Sequence, residues 1–186
     1  MILFFYMEGL IFPVVDFLSA LVLAGDIIIA LVLLGFLPRF QKIHTVISKR
    51  ALLLMLIVAT TATLGSLFLS EIAGWTPCKD CWLQRIFMYP QVVLLAIALW
   101  KGDRGIAKYI LALCVIGAVL SLHHYIEQIY ATFFAPPTDP LVPCDASGVS
   151  CSKTYTFRYG YITVPMMALT GFVLNALGSI VVLRRR

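Results

Sequence analysis

The sequence predicts an all-α integral membrane protein: a four-helix transmembrane bundle preceded by one extra transmembrane helix at the N-terminus. Three observations carry that expectation. Of 186 residues, 61% are hydrophobic and 12% charged, with a mean hydropathy of +0.97, too apolar for a water-soluble domain and short enough for one compact bundle. The apolar residues fall into five runs near the ~20 residues needed to cross a bilayer. The basic residues gather in alternate connections between those runs, as in a protein threaded through the membrane in one orientation.

The first run, Phe17 to Leu37, carries Glu8 and Asp16 before it, has no basic leading segment and shows no small-residue cleavage pattern, so it reads as a span and not as a removable signal peptide. Asp26 lies near its middle, where an ionised carboxylate is costly; it is expected to be protonated or to face a partner in the bundle. The second run, Ala51 to Leu69, is uninterrupted. The third, Cys81 to Trp100, contains Pro90, which a bundle tolerates as a kink where neighbours satisfy the freed carbonyl. The fourth, Tyr109 to about Tyr130, holds Cys114 at its middle as a small buried apolar residue. The fifth, Tyr161 to Leu183, has Pro165 near its start. Trp75, Trp82, Trp100, Tyr109, Tyr125 and Tyr161 fall at span ends, the places of an interfacial aromatic belt. Two units result: residues 1–50, a helix and a basic loop, and residues 51–186, the four-helix bundle.

Ten of the fourteen basic residues lie in three regions: Arg39, Lys42, Lys49 and Arg50 after the first span, Lys101, Arg104 and Lys108 after the third, and Arg184, Arg185 and Arg186 at the C-terminus. Five spans put these regions on one side, where Asp103 stands as their one acidic residue. The cytoplasmic side is therefore expected to hold the C-terminus, and the N-terminus lies outside. The basic balance is a topology signal and gives no case for nucleic-acid binding.

Four of the five cysteines fall in the two outer connections, as Cys78-Lys79-Asp80-Cys81 and as Cys144 with Cys151, in a compartment where disulfides persist. The segment from residue 131 to 160 contains Pro136, Pro137, Pro140 and Pro143 and is expected to be an irregular loop, too short to bury a core of its own. A C-x-x-C at a helix start places Cys81 near unsatisfied N–H groups and the positive end of the helix dipole, which favour a reactive thiolate. Arg85, one turn on, can stabilise that thiolate, hydrogen-bond a ligand carbonyl, or extend to the lipid headgroups. The spacing alone leaves three readings of the cysteines open: a redox relay, static staples, or four thiolates around a structural zinc.

The stretch Pro77-Cys78-Lys79-Asp80-Cys81-Trp82-Leu83-Gln84-Arg85-Ile86-Phe87-Met88-Tyr89-Pro90 resembles the signature of the disulfide bond formation protein B (DsbB-type) thiol:quinone oxidoreductases, in particular their short-loop branch. Val149-Ser150-Cys151 and Tyr159-Gly160-Tyr161-Ile162-Thr163-Val164-Pro165-Met166 agree with it, and the resemblance covers about Ala51 to Leu183. The family pattern has four helices; the first span here is an addition, and charged Lys79 and Asp80 depart from the apolar residues often found between these cysteines. The resemblance implies a membrane enzyme that generates disulfides. An extracytoplasmic thioredoxin-fold dithiol oxidase (DsbA-like) would be its partner. Cys144 and Cys151, then Cys78 and Cys81, would be the catalytic cysteines, passing electrons to a membrane quinone (ubiquinone or menaquinone). It also implies that Arg85 and His124 bind the quinone, with His123 the neighbouring alternative to His124, and that no metal is needed. Vitamin K epoxide reductase-like enzymes use a similar bundle but place their C-x-x-C after the loop cysteines, the reverse of the order here. A non-enzymatic membrane protein held by disulfides or zinc is the other alternative.

Overall fold

The computed structural model describes residues 2–34, 50–134 and 149–184, with side chains from residue 9 onward. Cys144, Arg39, Lys42, Lys49, the four prolines of the outer loop, Arg185 and Arg186 lie outside the described residues. The described chain is helical: α1 (Ile2–Leu34), α2 (Ala51–Leu67), α3 (Lys79–Lys101), α4 (Ala107–Phe133) and α5 (Val164–Leu183). Each of the five contains or forms part of a segment long and apolar enough to span a bilayer, with limits Gly9–Leu34, Ala51–Ile72, Lys79–Lys101, Arg104–Phe133 and Val164–Leu183. No strand occurs among the described residues, only an isolated bridge between Arg158 and Ile162.

Local chemistry sets the helix ends. α2 continues into a wider π turn at Phe68–Ile72. α3 runs through Pro90 and stops at Gly102, whose φ of 66° needs a residue without a Cβ; Asp103 N–H then donates to Ala98 O at 2.9 Å, closing the helix in a Schellman-type turn. Asp103 also accepts from Gly105 N–H at 2.7 Å, opening the short 3-10 turn Arg104–Ile106 before α4. α5 starts with Pro165, whose missing N–H costs nothing in a first turn.

α2, α3, α4 and α5 enclose a core of Met55, Ala59, Leu95, Ile110, Cys114 and Phe172. Small residues let the helices close: Phe172 of α5 sits where a Cβ on Gly117 of α4 would be, and Met55 of α2 does the same at Gly178. A polar knot lies within this apolar packing. Gln91 Oε1 accepts from Asn175 Nδ2 at 3.0 Å and from the Cys114 thiol at 3.4 Å, so Cys114 is buried as expected and has a partner.

α1 differs from its expected limits: the helix begins well before Phe17 and carries Pro13 inside it. It packs mainly along α5, and Asp26 explains how. Tyr161 Oη donates to one carboxylate oxygen and Thr170 Oγ1 to the other, both at 2.8 Å. The expectation that Asp26 faces a bundle partner holds. Asp16 pairs with Arg158 at 3.1 Å, an exposed pair of small energetic weight. Trp75, Tyr125 and Tyr161 are not mere belt residues: Trp75 stacks on Tyr155 with centroids 5.2 Å apart, Tyr125 Oη donates to Tyr161 O at 3.1 Å, and Tyr161 holds Asp26. Trp82, Trp100 and Tyr109 remain exposed at helix ends.

Candidate active site

Cys78 caps α3 with extended backbone (φ −76°, ψ 177°), so the helix starts at Lys79, two residues earlier than the sequence suggests, and it is Cys78 that meets the helix end. Asp80 in the first turn complements the positive end of the dipole. Cys78 and Cys81 are free thiols with sulfurs 3.3 Å apart. The Cys78 thiol is held well below the ordinary thiol range, first by its hydrogen bond with Cys81 and then by hydrogen bonding and charge from His124, which together outweigh the opposing effect of burial.

His124 is buried on α4 and touches both cysteine segments. Its Nε2 lies 3.6 Å from Cys78 Sγ and 3.0 Å from the Cys151 carbonyl oxygen. A carbonyl can only accept, so Nε2 carries a proton. Nδ1 meets the Gln84 side-chain amide nitrogen at 2.9 Å, which fixes the ring from its other side. His123, next in sequence, points away: its side chain is 75% exposed and approaches Asp80 at 3.8 Å.

Cys151 is disulfide-bonded and buried, in the segment leading to α5. Its sulfur lies within 4.8 Å of carboxylate oxygens of Asp80 and Glu127, so the two cysteine segments are in direct proximity. Gln128 Nε2 donates to Lys153 O at 3.0 Å, Tyr155 Oη to Thr76 O at 3.3 Å, and the Trp75–Tyr155 stack adds a third fastening of this segment to the bundle. The all-cysteine zinc site would need Cys151 as a thiolate, which its disulfide prevents. The sulfurs of Cys78 and Cys81 and a His124 nitrogen do lie within 4.8 Å of one another, a three-ligand set suited to a soft metal ion.

Arg85 is 9% exposed and turns inward instead of reaching to the headgroups. Its Nε donates to Ser66 Oγ at 3.1 Å and Nη2 to Ser66 O at 3.2 Å, while the guanidinium lies 4.9 Å from the Trp82 ring centroid. Tyr89 Oη donates to the same Ser66 hydroxyl at 3.1 Å. The thiols, Arg85 and His124 border one cavity of about 350 Å³, which extends away from them between α1, α2 and α5 and is lined there by aliphatic and small residues. A flat carbonyl-bearing ring with a hydrocarbon chain fits that lining: donors at one end and an apolar channel beyond.

Gln84, Ser66, Glu127 and the α1 wall were not singled out from sequence. Gln84 had a signal, since it follows Cys81 by three residues and shares its helix face. His124, named through the resemblance with His123 as its alternative, continues the buried series Cys114, Gly117 and Ser121 at helical spacing. Ser66 had no signal, because its role depends on which helix lies against α3.

The family model described as "Disulfide bond formation protein DsbB" matches residues 48–182. Among curated proteins, "Disulfide bond formation protein C" of Bacillus subtilis (strain 168) is 46% identical over 63% of this chain and 81% of its own length. "Probable disulfide formation protein C 1" of Bacillus anthracis is 43% identical over 67% of this chain and 86% of its own. "Probable disulfide formation protein" of Metapseudomonas resinovorans is 40% identical over 72% and 90% respectively. No solved structure is a significant match.

Proposed function

Because the chain belongs to the DsbB family of membrane disulfide bond formation proteins, we propose that it is a thiol:quinone oxidoreductase that reoxidises an extracytoplasmic, DsbA-like thioredoxin-fold dithiol. One observation carries the reading: a dithiol whose Cys78 is buried and activated as a thiolate borders an apolar cavity, and a single histidine links it to the segment of a further, disulfide-bonded cysteine.

In this reading the partner's thiolate attacks Cys144 of the Cys144–Cys151 disulfide and releases Cys151 as a thiolate, and a second attack, by the partner's other cysteine, completes its own disulfide and releases Cys144. Cys151 then attacks Cys78 of an oxidised Cys78–Cys81 pair, releasing Cys81, and Cys144 resolves the mixed disulfide. Two electrons thus come to rest on Cys78 and Cys81. His124 steadies the Cys78 thiolate through Nε2–H and holds the Cys151 backbone beside it. Arg85 and His124 would hold a quinone at the polar end of the cavity, and the cavity excludes water from the thiols. Such a quinone, as oxidant, accepts two electrons and two protons and restores the Cys78–Cys81 disulfide. Residues 51–186 carry the redox bundle, residues 1–50 are an addition to it, and the relay faces outward.

The test is quinone reduction by the purified protein with a reduced thioredoxin-fold dithiol as donor. Serine at Cys78, Cys81, Cys144 or Cys151 should abolish turnover, whereas Cys114→Ser, which keeps a donor to Gln91, should retain it. Full activity in Cys78→Ser or Cys151→Ser would overturn the relay.

A further inference from the structure

The cavity at the dithiol runs deeper than a quinone ring requires, and its far wall is supplied by the helix that the four-helix family pattern lacks. Leu18, Leu21, Val22, Gly25 and Ile28 of α1 line it, at spacings of three and four that place them on one face. From Leu18 to Ile28 is ten residues, or ~15 Å of helix, about half of the ~30 Å hydrocarbon thickness. Facing them are Ile57, Thr61 and Gly65 of α2 and Ala168, Gly171 and Leu174 of α5, a lining with no charged side chain.

α1 is held in that register by specific contacts. Both oxygens of Asp26 accept hydroxyl hydrogen bonds, from Tyr161 just before α5 and from Thr170 within it. Gly25 brings α1 close to α5: a Cβ there would lie 3.0 Å from Thr170 Cγ2 and 3.1 Å from Leu174 Cδ1. α1 closes on α2 as well, where a Cβ on Gly65 would stand 3.2 Å from Leu18 Cδ2. A polar clasp inside an apolar span carries a desolvation cost that an unconstrained lipid-facing helix would avoid.

We propose that α1 is the wall of a tail subsite: it encloses the isoprenoid chain of the quinone whose ring meets Arg85 and the dithiol, and Asp26 is the positioning residue that clasps this wall to α5. The inference rests on the quinone reading above. Trp75 borders the same cavity, so equilibrium binding can be read as quenching of tryptophan fluorescence, without turnover. Two probes separate ring from tail: a tail-less methoxy-substituted benzoquinone and the same ring with two isoprenoid units. Two variants separate the clasp from the wall. Asp26→Leu removes both hydrogen bonds and makes the span more apolar, which keeps it inserting; Leu21→Ala with Ile28→Ala thins the wall and leaves the clasp intact.

In both variants the Kd of the tailed quinone should rise about tenfold, the weight of roughly two buried methylene groups, while that of the tail-less ring stays within about twofold of the unaltered protein. Tailed-quinone affinity unchanged in both variants, or both probes weakened alike, would overturn the tail subsite and leave the quinone reading standing. Failure of the unaltered protein to bind either probe would overturn the quinone reading and this inference with it.

Discussion

His124 Nε2 is within reach of both Cys78 Sγ and the Cys151 carbonyl, so its removal should affect thiolate chemistry before it affects folding. Cys78 has a depressed pKa, hence it remains a reactive thiolate as pH falls below the ordinary thiol range and loses reactivity only on protonation at lower pH. In His124→Gln the thiolate loses the Nε2–H donor of the imidazole, so the midpoint of the pH profile for alkylation of reduced Cys78 should move upward; an unmoved midpoint would remove His124 from thiolate stabilisation. Arg85 makes a separate case. A hydrogen bond to a charged group is worth about 1.5–3 kcal/mol, so Arg85→Ala should raise the quinone KM by about 10- to 150-fold with little change in KM for the dithiol partner. Arg85→Lys should restore part of this, lacking the planar fork. Ser66→Ala, which loosens the guanidinium but keeps its charge, should have a smaller effect. Steady-state kinetics with each substrate varied in turn decides among these outcomes.

Between helices, α4 packs tightly on α5 at Gly117, where three ring atoms of Phe172 lie 2.3–2.7 Å from the place a Cβ would take. Phe172 is fully buried, so a ring pushed off this position must displace packed neighbours or enter the cavity it borders. Gly117→Ala should cost about 1–3 kcal/mol through overpacking and lower the thermal midpoint in detergent by several degrees. Phe172→Leu in the same chain should recover part of the loss. Gly9→Ala is the matched control, because nothing lies within 4 Å of that position. Unchanged stability in Gly117→Ala would show that α4 and α5 are packed more loosely than described.

For the whole molecule, five spans force the two termini to opposite faces of the membrane. The basic connections and Arg184 to Arg186 at the C-terminus predict a cytoplasmic C-terminus by the positive-inside rule. A protease-cleavable tag at Met1 should therefore be cut in intact spheroplasts, and one after Arg186 only once the membrane is opened. Finding both tags protected would mean that the first segment does not span.

Much of this could be read in one dimension, because a bilayer imposes a length and a polarity on every segment that crosses it. Composition and five apolar runs determined the fold class, alternating basic connections the expected orientation, and the residues from Cys78 to Pro90 the family. Helix ends were less legible: Cys78 and not Cys81 caps α3, because the choice of capping residue depends on backbone angles at Thr76 to Cys78 that hydropathy does not encode. Which of His123 and His124 faces the dithiol was decided by the rotation of α4 about its axis, fixed by Gln84 and the Cys151 carbonyl. Arg85 turning inward to Ser66, Asp26 finding Tyr161 and Thr170, and α1 closing the cavity are pairings across 19, 135 and 144 positions of sequence. They depend on which helix lies beside which, and only packing in three dimensions selects that.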